Sequence, residues 1–211
     1  MSDDLELLDR WCAGDQDAGE KLFERYYVAI GQFFANKVED DFEELVQTTF
    51  LTCMRRRDRF RRECSFRTFL FTIARYTLYD YLRDRARYRG RFDPNVTSVW
   101  DMATTPRSRI ARQERQQLLL RALCQLPLES QLLLELHYWE QLGNADLAQV
   151  FEVAMPTVRT RLHRARQQLR KRMASLLARP DGEPPSVESL EEWVAALQGQ
   201  RPSTPTGTPP R

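Results

Sequence analysis

Apolar positions recur along this chain at three- and four-residue spacing almost from the first residue, and nowhere do they alternate as a half-buried strand requires. Leu5, Leu8 and Trp11 make a first short stripe. Asp17, with Glu20 three residues on, reads as a capping-box start for a helix that buries Leu22, Phe23, Tyr26, Tyr27, Ile30, Phe33, Phe34 and Val38. Phe42, Leu45, Val46, Thr49, Phe50 and Cys53 predict a third helix. After a loop over Arg59 to Ser65, a fourth begins with Phe66, Phe69, Leu70, Ile73 and Ala74 and runs through Tyr81 and Leu82 toward Tyr88. The chain has eight glycines and no turn-bounded strand pattern, so the expected fold class is all-α.

The period lapses in FDPNVTSVWDMATTPRSR, Phe92 to Arg109, which reads as a linker. It resumes with Ile110, Leu119 and Leu123 up to Leu126-Pro127, then with Leu132, Leu133, Leu136 and Trp139 up to Leu142-Gly143. Asn144 is the expected N-cap of a short helix burying Leu147, Ala148 and Phe151. Pro156 sits in the first turn of the next, where a missing N–H costs little, and Val158, Leu162, Ala165 and Leu169 form its buried face. The expected organisation is two small helical domains, 1–91 and 110–179, joined by a linker at 92–109, with a Pro-rich extension at 180–211. Within that extension Val187, Leu190, Trp193, Val194 and Leu197 suit a short amphipathic helix.

Charge sharpens this picture. The net charge of +2 conceals a strong asymmetry. Residues 1–50 hold thirteen acidic side chains against Arg10, Lys21, Arg25 and Lys37, whereas 55–91 hold thirteen arginines against Asp58, Glu63, Asp80 and Asp84. From Val153 to Pro180 there is no acidic residue, while Arg159, Arg161, Arg164, Arg166, Arg170, Lys171, Arg172 and Arg179 supply eight positive charges. Alternating blocks of this kind suit two different partners. The short helix, tight turn and arginine-loaded helix over 144–172 form the pattern of a helix-turn-helix DNA reader. A solvated basic face is the bland alternative, but cap, turn spacing and charge agree on the reader.

Cys12, Cys53, Cys64 and Cys124 include no CxxC pair, and the two histidines are His137 and His163, so neither a metal nor another cofactor is expected. Cys12 and Cys53 fall at apolar periodic positions and read as buried free thiols. No signal peptide or membrane-length apolar run is present, so a cytoplasmic location without membrane contact is expected. No nucleophile, base or metal constellation suggests an enzyme.

Two stretches then resemble a known family. DFEELVQTTFLTCMRRRDRF with SFRTFLFTIARYTLYDYLRDRAR is similar to the second conserved region of sigma-70-family factors of the extracytoplasmic function group. LP, followed by YWEQLGNADLAQVFEVAMPTVRTRLHRARQQL, is similar to their fourth region. The resemblance implies an alternative sigma factor whose partners are bacterial core RNA polymerase and promoter DNA, both duplex and single-stranded. It places polymerase binding on Asp41, Glu43, Glu44 and Gln47, for which an ordinary solvated acidic face is the alternative. It places capture of the melted element on Arg61, Arg62, Glu63, Cys64 and Ser65 in the loop and on Tyr76, Asp80 and Arg83 in the next helix. Thr157, Arg159, Thr160, His163 and Arg164 would read the upstream element in the major groove.

Departures from the family pattern accompany these matches. Thr48 and Thr49 stand where a glutamate usually follows the glutamine, Glu152 replaces a glycine common in the helix-turn-helix turn, and Phe69 stands where a tryptophan is frequent. Two readings of the threonines stay open: phosphorylation by a Ser/Thr kinase restores the missing charge, or Glu43 and Glu44 compensate for it. The extension at 180–211 has no counterpart in the two-domain pattern. It either docks on the domains and holds the factor inactive, receives a regulator such as an anti-sigma factor, or is idle. A helix-turn-helix regulator with a helical effector domain is the competing function, though no ligand pocket or receiver site is legible in the first half.

Overall fold

A computed structural model describes residues 2–35, 37–38, 41–60, 62–86, 92–99 and 114–177. Eight α-helices carry these residues: α1 (Ser2–Cys12), α2 (Gln16–Ala35), α3 (Phe42–Arg56), α4 (Phe66–Ala86), α5 (Glu114–Cys124), α6 (Leu128–Tyr138), α7 (Asn144–Phe151) and α8 (Met155–Leu177). A 3-10 turn at Arg57–Arg59 follows α3. The amphipathic stripes pack as their spacing demands. Leu22, Ile30, Phe34, Val46, Cys53, Phe66, Leu70, Leu78 and Leu82 lie inside the α1–α4 bundle, and Leu119, Leu132, Leu136, Leu147, Val158, Leu162, Ala165 and Leu169 inside the α5–α8 unit.

The turn between α1 and α2 is set by two glycines with different duties. Gly14 takes φ 102°, a left-handed conformation that ends α1 without side-chain strain. Gly19 lets Trp11 lie against α2, since a Cβ there would come within 2.4 Å of the indole nitrogen. Trp11 meets Phe23 edge-on at 5.1 Å, and Phe23 packs on Phe50 at 4.6 Å, which locks α1, α2 and α3 through one aromatic column.

Four expectations are corrected. The start of α2 is capped by Asp15, whose carboxylate accepts the Ala18 backbone N–H at 3.2 Å, and not by the Asp17–Glu20 box. Asn144 is the first helical residue of α7 and Gly143 occupies the cap without a side-chain bond. Cys12 is exposed, while Cys53 is buried and its thiol is pushed up to about 12 by desolvation. Part of the linker is built structure. Residues 92–99 fold into an Asx turn, with the Asn95 N–H on the Asp93 carboxylate at 2.9 Å, and bury Val99. The carbonyls of Thr97 and Pro94 then accept the N–H groups of Leu128 and Glu129 at 3.0 Å, satisfying donors at the start of α6 that Pro127 leaves uncapped. Residues 100–113 of the linker, the expected helix over 187–197 and Tyr88 lie outside the described residues.

The two helical units meet face to face. α4 lies against α7, and the end of α2 reaches α6. Lys37 is fully buried there; its ammonium donates to the Glu135 carboxylate at 2.5 Å and to the Phe33 carbonyl at 2.5 Å, and sits 4.6 Å from the Phe33 ring centre. Gln131 donates to the other oxygen of Glu135 at 2.9 Å, so the buried carboxylate is satisfied on both sides. Arg67 adds a 2.5 Å bond to the nearly buried Glu140.

Candidate nucleic-acid interface

The helix-turn-helix is closed by an unusual residue for its place. Glu152 ends α7 at φ 55°, and the N–H groups of Glu152 and Val153 return to the Gln149 and Ala148 carbonyls at 3.2 and 3.0 Å. The turn therefore has a helix-terminating geometry that glycine ordinarily supplies. α8 leaves it with Pro156 in its first turn and with Val158, Leu162, Ala165 and Leu169 on the core.

On the outer face of α8, Arg159, Thr160, His163 and Arg164 are exposed and Thr157 is half-buried. Thr160 donates its hydroxyl to the Pro156 carbonyl at 3.1 Å, and Gln167 lies 3.0 Å from the His163 ring nitrogen. Two arginines of the same helix are diverted inward. Arg161 donates to Glu129 at 2.6 Å, and Arg166 donates to the Tyr138 hydroxyl at 2.8 Å with its guanidinium 5.5 Å from that ring. The apolar stripe could have shown this beforehand, because Arg161 and Arg166 flank it while Arg159 and Arg164 do not.

The α3–α4 side carries the other candidates. Glu43, Glu44, Gln47 and Thr48 are exposed on α3. Asp41 instead accepts the Tyr81 hydroxyl at 2.8 Å and stands 3.5 Å from Arg85, which fastens the start of α3 to the end of α4. Thr49 is fully buried and donates to the Leu45 carbonyl at 2.8 Å, so it offers no accessible hydroxyl for a kinase and Thr48 alone of the pair does. The sequence reading missed Leu51, half exposed at 50%, and Met54 on the same helix, and Tyr27 of α2, expected in the buried stripe, is exposed as well. The signal for Leu51 and Met54 was present, since 47, 51 and 54 share the side of α3 opposite its buried stripe.

In the loop before α4, Arg62 takes φ 58° and binds Asp9 of α1, and Glu63 is exposed. Ser65 caps α4, accepting the Thr68 N–H at 3.0 Å and lying 2.7 Å from the Thr68 hydroxyl. Arg61 lies outside the described residues. Further along α4, Tyr76 is exposed but donates its hydroxyl to Glu152, and burial together with that bond raises its ionisation above the ordinary tyrosine range. Asp80 and Arg83 pair with each other at 2.7 Å on the surface. Among the described residues there is no group of His, Cys, Asp or Glu suited to a metal, and no helix long and apolar enough to cross a membrane.

Comparison with known families resolves the class. The sigma-70 region 2 model matches residues 22–88 and the sigma-70 region 4 model matches 116–169, in that order and together over more than half of the chain. The chain belongs to the sigma-70 family. The curated relatives it is similar to include an extracytoplasmic function (ECF) factor. It is 27% identical over 187 residues to the ECF RNA polymerase sigma-E factor of Haemophilus influenzae, covering 82% of this chain and 97% of that protein. It is 27% identical over 161 residues to RNA polymerase sigma factor YlaC of Bacillus subtilis, covering 75% and 93%. Its fold is also that of two solved structures. One is CnrH in complex with the cytosolic domain of CnrY, at TM-score 0.58 and 22% identity over 80% of this chain and 96% of that one. The other is RpoE in complex with the anti-sigma factor NepR from Bartonella quintana, at TM-score 0.57 and 23% identity over 73% and 95%. The molecule is thus an alternative sigma factor for transcription initiation, with the region-two match falling on α2–α4 and the region-four match on α5–α8.

Proposed function

We propose that the region-two face of α3 grips core RNA polymerase, that α4 and the loop before it capture the melted promoter strand, and that α8 reads the upstream element in the duplex. One observation carries this division of labour: an acidic exposed face and a basic exposed face lie on separate helical units of one chain. Glu43, Glu44 and Gln47 supply the polar part of the polymerase contact, and Leu51 and Met54 add exposed apolar area on the same helix. Tyr76 and Arg83 on α4, with Arg62 and Glu63 in the loop, would meet extruded bases and phosphates. Arg159, Thr160, His163 and Arg164 project from α8 where a recognition helix enters the major groove. The chain performs no chemistry of its own in this reading, since the polymerase supplies it, and it acts in the cytoplasm.

The test is run-off transcription with purified core polymerase. Promoter-specific transcripts that require this chain support the proposal, and transcripts unchanged by its omission exclude it. Control at the polymerase face converges on Thr48, because added phosphate there would fall beside Glu44 on an exposed surface. Equal core affinity of Thr48→Ala and Thr48→Glu would remove phosphorylation as a control at this position. The solved neighbour bound to the anti-sigma factor NepR makes an anti-sigma factor the other candidate regulator, which binding to the closed two-unit molecule would test.

A further inference from the structure

α1 precedes the segment that matches the region-two model, residues 22–88, and the division of labour above gives it no task. Yet it is fastened at both ends. At its start Arg25 of α2 donates to Asp3 and Asp4, and the Tyr26 hydroxyl donates to the other oxygen of Asp4 at 2.5 Å. At its end the buried Trp11 lies over Gly19 and takes the Arg57 guanidinium 4.9 Å from its ring centre. Leu7 and Leu8 are buried between these points. A helix held in this way is a rigid base on which a neighbouring segment can be set.

That segment is the loop between α3 and α4. Asp9, two residues before Trp11, receives the Arg62 guanidinium on both carboxylate oxygens, one nitrogen to each. A two-point fork of this kind fixes direction as well as distance. At the same residue the backbone takes φ 58°, a left-handed conformation that an arginine disfavours. No helix end dictates it there. The 3-10 turn has already closed at Phe60, whose N–H returns to the Arg57 carbonyl at 3.1 Å, and α4 starts only at Phe66. A disfavoured backbone state of this sort persists where a contact holds it. Ser65 fixes the α4 end of the loop and Gln149 takes the Glu63 carbonyl, whereas Asp9 grips the side chain of the left-handed residue itself. The two partners are 54% and 47% exposed, so the fork adds little to folding and acts on where the loop sits.

We propose that Asp9 is a positioning residue for recognition of the melted element: through the Arg62 fork it sets the loop backbone and, with it, the direction from which exposed Glu63 meets an extruded base. This rests on the melted-strand role of the loop proposed above. It gives α1 a share in promoter specificity without any contact with DNA.

The holoenzyme, the full chain with bacterial core polymerase, tests it. A randomised single-stranded oligonucleotide pool is bound and the retained sequences are counted; core affinity, hydrogen exchange over residues 57–65 and the melting temperature of the free chain are measured beside it. Asp9→Asn keeps the shape but leaves one acceptor, so the fork cannot form. Base discrimination is expected to fall about tenfold, the size of one good base contact, while loop exchange speeds up and core affinity and melting temperature stay unchanged. Arg62→Asn supplies a residue that tolerates the left-handed region without help, so adding Asp9→Asn to it should cause no further fall. A further fall as large as that of Asp9→Asn alone would overturn the route through Arg62. Discrimination kept in Asp9→Asn, with or without a lower melting temperature, would reduce Asp9 to an ordinary surface partner and overturn the proposal. An unaltered holoenzyme with no base preference on the pool would remove the melted-strand reading and the positioning role together, whereas a preference indifferent to Asp9 removes the positioning role alone.

Discussion

α4 and α8 are both long helices rich in arginine, and the structure gives their cations different fates. On α8, Arg159 and Arg164 point away from the core and are exposed, while Arg161 and Arg166 are turned onto Glu129 and Tyr138. On α4, Arg67 and Arg75 lie between the two units against Glu140 and Glu152, and Arg83 pairs with Asp80 on its own helix. The difference teaches that a cation count does not identify a DNA surface. What decides is whether the arginine sits next to the apolar stripe, where a neighbouring helix can supply a carboxylate, or across from it.

The comparison can be tested most severely at the contact holding the units together. Lys37→Met strands the Glu135 carboxylate in the interior and should cost about 3–5 kcal/mol in denaturant unfolding, with most of the loss regained when Glu135→Leu is added. A cost under about 1 kcal/mol for Lys37→Met would mean that the pair is wet and the units are loosely joined. Next in size, Arg159→Ala and Arg164→Ala should each leave the melting temperature unchanged. Wherever the arginine grips a guanine, the change should remove about 1–3 kcal/mol of discrimination between promoter sequences, measured by competition with single-base variants. Equal losses on every sequence would reassign that arginine to phosphate.

Arg161→Ala should do the reverse. Its pair with Glu129 is partly exposed, so stability should fall by no more than about 1 kcal/mol while base discrimination is kept. Smallest at neutral pH is the effect of the interface tyrosines. Burial raises the ionisation of Tyr79 first, with the Glu129 charge next, and burial followed by the Glu152 bond raises that of Tyr76. A raised folded value means that their contribution to stability is fully present below the ordinary tyrosine range near 10 and is lost as the pH climbs through the raised values. Tyrosinate absorbance of these two should therefore appear at higher pH in the folded chain than in the denatured one, and coincident titration of the two states would argue against a closed interface.

The helices were legible because each carries an apolar stripe at a single period, and the helix-turn-helix was legible because its turn, proline and stripe reinforce one another. The caps were less so. Asp15 and Asp17 are both plausible starts for α2, and the choice depends on a turn geometry fixed by Gly14 that spacing does not encode. Residues 92–99 have no period, yet they are ordered because their carbonyls serve another helix. On the site, exposure of Arg159, Thr160, His163 and Arg164 follows from the stripe itself. The occupation of Asp41, Ser65 and Tyr76 by protein partners does not, since those partners lie on other turns or on the other unit. Thr49 could have been set aside from sequence, because it falls on the same buried stripe as Leu45 and Cys53.

The buried Lys37–Glu135 pair joins residues 98 positions apart, which gives it a meaning during synthesis. At roughly 5–20 residues per second on the ribosome, Lys37 emerges several seconds before its carboxylate has been made. In the later part of that interval, once α4 has been made, all four helices of the first unit exist while the second unit that would cover α4 does not. Every newborn molecule thus begins life uncovered, and closure is a late event of its biogenesis that a polymerase near the translating ribosome could pre-empt.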